Sequence, residues 1–107
     1  MRIYENLYVS EVLEKKKDKI IKNIQNHKYP FNVYVLTLHL EEGQHLEFYP
    51  ASLFYQSAVE DDKLLLIGIA SDYEDALFLV EKIAEEAYDK NKDVDIRKYL
   101  MEDNCQQ

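Results

Sequence analysis

Residues 64–70 read LLLIGIA, seven residues without one polar side chain. A short apolar run with a glycine and two isoleucines reads as a strand. A strand in a sheet with one wet face should alternate apolar with polar. Here Leu65, Ile67 and Ile69 point one way and Leu64, Leu66, Gly68 and Ala70 the other, so neither face is polar. Both faces of the sheet must therefore be covered at this strand. Burying each large side chain stabilises by about 1.5–3 kcal/mol. Three left in water would form a patch that soluble monomers seldom keep.

The covers are sought among the other elements. Ser10 reads as the cap of an amphipathic helix over residues 10–27, with Leu13, Ile20, Ile21 and Ile24 at helical spacing and Pro30 beyond its end. Residues 2–9 are aromatic-rich and fit either an extended lead-in or an extra helical turn. Residues 32–40 and 44–49 are β-like and flank Glu41, Glu42 and Gly43. A three-residue loop with glycine last pairs Leu38 with Leu46 and Leu36 with Phe48 on one face, and His39 with His45 and Thr37 with Glu47 on the other. A two-residue loop would mix the faces, so the odd length is expected. Pro50 opens a helical turn.

After the third strand, Ser71 and Glu74 fit a capping box. Tyr73, Ala76, Leu77, Val80, Ile83, Ala84, Ala87 and Tyr88 form the predicted buried stripe of the helix that follows. Residues 95–102 read as a short last helix capped by Asp95, and residues 101–107 as a tail. The expected architecture is a single α+β domain over residues 1–107 in two layers. An antiparallel three-stranded sheet, in the order 2-1-3, carries the two long helices on one face and the short helix at its end. Its outer face, Leu65, Ile67 and Ile69 extended by Val33 and Val35, is then left to a second subunit packed sheet to sheet. Residues 3–9 folded across it are the other candidate.

Charge narrows the function. The chain of 107 residues carries a net charge of −8. Residues 1–28 hold seven Lys and Arg against four acids, a balance of +3; residues 29–107 hold six against seventeen, a balance of −11. An acidic body repels nucleic acid and anionic lipid, so neither is an expected partner. The first helix, with Lys15, Lys16, Lys17, Lys19 and Lys22, is the exception, but it lacks arginine and reads as a solvated face. No apolar run is long enough to span a bilayer. The single cysteine, Cys105, gives no disulfide framework, and a cytoplasmic setting is expected.

Candidate sites are few. The strand–turn–helix junction at residues 67–75 resembles a phosphate site in outline, but Asp72, Glu74 and Asp75 occupy the first turn and would repel an anion. His39, His45 and Glu47 on the polar face of the hairpin make a possible zinc set, against the alternative of a solvated face. No nucleophile has a visible base, so no catalytic residue and no cofactor are assigned. Phe78 points away from its helix's stripe, among Glu74, Glu81, Lys82 and Glu85; it either packs under the last helix or contacts another chain. Tyrosines and phenylalanines number nine and four, and the group Phe48, Tyr49, Phe54 and Tyr55 suits a core or a contact surface.

The stretch IGIASDYEDALFLVEKIAEEAY with the later DVDIRKYL resembles a group of small uncharacterised bacterial proteins, over residues 32–100 at most. The resemblance implies a bacterial cytoplasmic setting and no activity. The expected function is a small protein-interaction module without catalysis, homodimeric through Phe78, Leu65, Ile67, Ile69, Val33 and Val35. A small-molecule or metal-binding accessory domain is the alternative.

Overall fold

The computed structural model describes residues 1–40, 46–56, 61–92 and 95–105. Its strands are β1 (Arg2–Val9), β2 (Tyr34–His39), β3 (Glu47–Pro50) and β4 (Leu64–Ala70), and its α-helices are α1 (Lys17–Gln25), α2 (Tyr73–Asn91) and α3 (Ile96–Cys105). Short 3-10 helices cover Glu11–Lys16 and Ala51–Tyr55. The fold is α+β, with a four-stranded mixed sheet in the order β1-β4-β2-β3. Among the described strands the sheet is thus one larger than expected. The aromatic lead-in pairs parallel to β4 as an edge strand, while the β3, β2 and β4 neighbours follow the expected order.

The hairpin register is the one the face-sorting argument demands: Leu36 pairs with Phe48 and Thr37 with Glu47. The connecting loop at residues 41–43 and His45 lie outside the described residues. Thr37 lies in the core rather than on a wet face, and its hydroxyl shares a hydrogen bond of 2.9 Å with the Tyr49 hydroxyl. Burial raises the pKa of Tyr49 above the ordinary phenol value.

The two long helices lie on opposite faces of the sheet, not on one. Leu36, Leu38, Leu65, Ile67 and Ala70 pack with α2 and α3, through Leu79, Ile83, Ala87, Ile96 and Leu100. Val33, Val35, Leu66 and Ile69 pack with Leu13, Ile20 and Ile24 of the first helical segment, together with Tyr29, Ala51 and Phe54. The second face of β4 is therefore covered by the chain itself. Neither a second subunit nor β1 is needed for it, and β1 instead takes the sheet edge. A bulge refines the alternation: Leu36 pairs with Gly68 but Thr37 with Leu66, leaving Ile67 as the extra residue. Ile69 consequently faces the α1 side, while Leu65 and Ile67 face α2.

The helices differ from expectation in detail. The first segment breaks into a 3-10 stretch and an α stretch, with Leu13, Ile20 and Ile24 keeping a common inner face. The cap of α2 is Asp72, whose carboxylate accepts from the Asp75 amide; Asp75 reaches back to the amide and hydroxyl of Ser71 at 2.9 Å. The box is shifted one residue from the Ser71/Glu74 reading. The buried stripe of α2 is Ala76, Leu79, Ile83 and Ala87, with Tyr73, Leu77 and Tyr88 exposed. Asp95 caps α3 as expected, accepting from the Lys98 amide at 2.9 Å, and the helix continues to Cys105 into the segment read as tail. Helix α1 ends through His27 at φ 61° and α2 through Lys92 at φ 61°, left-handed positions where glycine is usual.

Three ties fasten the layers. Arg97 donates from both terminal nitrogens to the His39 and Leu40 carbonyls at 2.5 Å, pinning α3 to the end of β2. Tyr8 and Tyr99 both donate to Glu86 Oε1, at 2.5 and 3.1 Å, joining β1, α2 and α3. Burial first, and then the Glu86 hydrogen bond, push the Tyr8 hydroxyl far above the ordinary tyrosine value, so it stays a donor. The third tie is the Tyr4 hydroxyl, which donates to the Leu100 carbonyl at 3.3 Å.

Candidate functional site

The Ser10 amide donates to the Ile69 carbonyl at 3.0 Å, so β1 leaves the sheet beside the end of β4. The chain turns at once into the 3-10 helix, because Leu13 donates back to the Ser10 carbonyl at 2.9 Å. That turn carries Glu11, Val12 and Glu14 past the first turns of α2. A groove of about 400 Å³ results, floored by Val9 and Leu79 and bordered by Val12 and Phe78. Leu13 takes the inward position of the 3-10 helix, which leaves Val12 72% exposed. Phe78 is 64% exposed because the stripe of α2 occupies the opposite side of the helix. Phe78 does not pack under α3. Glu11, Glu14, Asp75 and Lys82 make the polar part of the groove wall.

Asp75 belongs to both the groove and the helix cap. Burial alone would raise its carboxyl. The Ser10 hydroxyl and the amide and hydroxyl of Ser71 outweigh burial and hold it below the usual carboxylate value. Ser10 Oγ is buried and closes no hydrogen bond of ordinary geometry among the described residues, so the donors that sit on the carboxylate are the amide and hydroxyl of Ser71. A carboxyl depressed by folding contributes stability that is present above its unfolded value and lost as pH falls through its folded one. Asp75→Asn is therefore expected to cost about 0.5–2 kcal/mol at pH near 7, the range of a lost helix cap. The gap from the natural chain should close below about pH 3. Urea midpoints at neutral and acid pH check this; a gap independent of pH would mean the carboxylate charge is not what the cap uses.

Of the expected interface residues, only Phe78 is on the surface. Val33, Val35, Leu65, Ile67 and Ile69 are at most 7% exposed within the single chain and are core. The expectation erred because it left one face of the sheet bare, whereas α1 lies on it. Of the expected zinc set, Glu47 is exposed and His39 half-buried, and His45 is outside the described residues. Among the described residues no group of three or more His, Cys, Asp or Glu side chains could hold a metal ion. The strand–turn–helix junction is closed by its own acids, Asp72 and Asp75.

A second surface feature lies on the α1 side. Tyr29 is buried between Phe54 and Tyr55, with ring centroids 5.3 and 5.1 Å away, and its amide donates to the Tyr55 hydroxyl at 2.8 Å. Phe31 then lies 6.1 Å from Tyr55 with the rings tilted by 31°. Phe31 is 78% and Tyr55 55% exposed. A cleft of about 410 Å³ lies between α1 and residues 30–33, with Lys16, Lys19, Asn23, Pro30 and Asn32 among its walls. Neither the groove shared by Val12 and Phe78 nor the Phe31–Tyr55 pair was evident in the sequence, since both join segments far apart in the chain.

Among the described residues no helix is long and apolar enough to cross a membrane. No family model matches the chain, and no match to it was found among curated proteins or solved structures.

Proposed function

We propose that the chain is a small protein-interaction module without catalytic activity, and that it self-associates through the groove at Val12 and Phe78. A bacterial cytoplasmic setting belongs to the same proposal. The observation that carries it is Phe78, a large ring 64% exposed that lines a groove together with a second exposed apolar residue, Val12. Exposed apolar surface framed by polar groups is the usual form of a contact site. A second copy suits it as partner because a two-fold interface must be self-complementary. The groove supplies both charge signs within one patch, Glu11, Glu14 and Asp75 against Lys82. Two such patches can face each other with Phe78 of one copy toward Val12 of the other.

The expected result is a light-scattering mass of about twice 12.7 kDa at micromolar concentration. Phe78→Asn should return the mass to the monomer value and leave the chain folded, because the ring buries little in the single chain, with a melting temperature that no longer depends on protein concentration. A natural chain that scatters as a monomer throughout would overturn the self-association, and a variant that stays dimeric would move the contact elsewhere.

A further inference from the structure

The net charge of −8 argues against nucleic acid for the chain as a whole, but the charge is segregated. Residues 15–31 hold six lysines, Lys15, Lys16, Lys17, Lys19, Lys22 and Lys28, against one acid, Asp18. Lys16, Lys19 and Asn23 recur at three- and four-residue spacing and line the α1 cleft, and among the described residues no acid lines it. Pro30 and Asn32, on either side of Phe31 in the chain, form the facing wall. Phe31 does not itself line the cleft; it lies between Pro30 and Asn32 in the chain, and its exposed ring rests on Tyr55 and, through it, on the buried Tyr29.

We propose that this cleft binds single-stranded nucleic acid, with the lysines on the phosphates and Phe31 stacked on an unpaired base. Braced aromatic rings beside ammonium groups are what a strand with exposed bases requires, and stacking tolerates any base. Asn23 and Asn32 add uncharged hydrogen-bonding side chains to the cleft lining. Duplex is disfavoured, because α1 turns its apolar face, Ile20 and Ile24, onto the sheet and has no arginine to read guanine in a groove. A membrane surface is disfavoured for the same reason: the apolar face that would enter lipid is already used inside the chain. The acidic remainder, at −11, repels phosphate everywhere else and so confines a strand to this face.

The test is fluorescence anisotropy with labelled oligothymidylate and oligouridylate of about 12 nucleotides, within the usual span of such sites. Vesicles containing phosphatidylserine and an acidic polypeptide, polyglutamate, serve as the other arms. Binding of either strand in the range of about 1–100 µM is expected, weakening with salt. Phe31→Ala should lower affinity by roughly 5- to 150-fold with the salt slope unchanged, the signature of lost stacking. Lys16→Gln with Lys19→Gln should reduce the slope by about 1.4, at about 0.7 per phosphate contact on a single strand. All these side chains are on the surface, so melting temperatures should hold and any loss is a loss of binding. Absence of strand binding at low salt overturns the proposal, as does strand binding indifferent to Phe31→Ala. Equal binding of polyglutamate and strand, or binding of vesicles alone, also overturns it and assigns the lysines to another anionic surface.

Discussion

Ile24→Ala is expected to destabilise the chain by about 2–5 kcal/mol, the range for truncating a fully buried large aliphatic side chain. Ile24 is 1% exposed and sits on α1 against the sheet face formed by Val33, Val35, Leu66 and Ile69. The effect is large because one short helix carries the cover: α1 spans nine residues, and its buried contacts come from Ile20 and Ile24, with Leu13 contributed by the 3-10 turn before it. A cavity under Ile24 cannot be refilled from the strand side, where Val35 and Ile69 are themselves fully buried. Denaturant unfolding of the natural chain and the variant gives the number. A loss below about 1 kcal/mol would mean that α1 rests loosely and that the apolar face of β4 depends on some other cover. Ile21→Ala is the internal control, since Ile21 is only half-buried and should cost clearly less.

That contrast shows where sequence reasoning reaches and where it stops. The absence of polar alternation in LLLIGIA is a local fact, and it correctly demands two covered faces. Which segment does the covering is a long-range fact, and β4 has no pattern that names α1. The hairpin register was legible because its partners are close in sequence and a wrong loop length would put Thr37 and Leu36 on the wrong faces. The partner of β1 was not, since Val9 pairs with Ile69 across 60 residues. The bulge at Ile67 also leaves no mark in an all-apolar strand: Ile69 shares the face of Val33 and Val35 as expected, but Leu65 and Ile67, expected beside it, lie on the α2 side. On α2 the error was chemical: Tyr73 and Tyr88 count as apolar in a periodicity, yet each stands 56% and 53% exposed at the edge of the packed face. The small residues Ala76 and Ala87 lie beneath, where they let the helix approach the sheet. The exposure of Phe78 followed from helical geometry alone. The groove around it did not, because its other wall is the 3-10 turn beyond β1.

The edge strand supplies the remaining large effect, through Gly68. A glycine within a strand ordinarily weakens it, and alanine at a compatible site is mildly stabilising. Gly68→Ala is expected to do the opposite here, costing about 1–3 kcal/mol, and Gly68→Val more. A Cβ at this position would lie 3.0 Å from the Tyr8 carbonyl oxygen and 3.3 Å from Tyr8 Cβ. The closest atom is backbone, so no rotamer change relieves the contact. Nor can β1 simply step aside. Tyr8 and Val9 pair with Gly68 and Ile69, the Ser10 amide is bonded to the Ile69 carbonyl, and the Tyr8 hydroxyl is held by Glu86. The glycine thus serves the close approach of β1 to β4, not the packing of a helix as a glycine beside a helix start would suggest. The damage should be local before it is global: amide exchange should quicken at Val9 and Ser10 while the amides of α2 at Ile83 and Ala87 keep most of their protection. Because Val9 and Ser10 also line the Phe78 groove, the same variant should weaken self-association beyond what its stability loss explains. A Gly68→Ala chain that melts higher than the natural one would show that β1 lies further from β4 than 3.0 Å allows, and would remove the physical reason for glycine at this position.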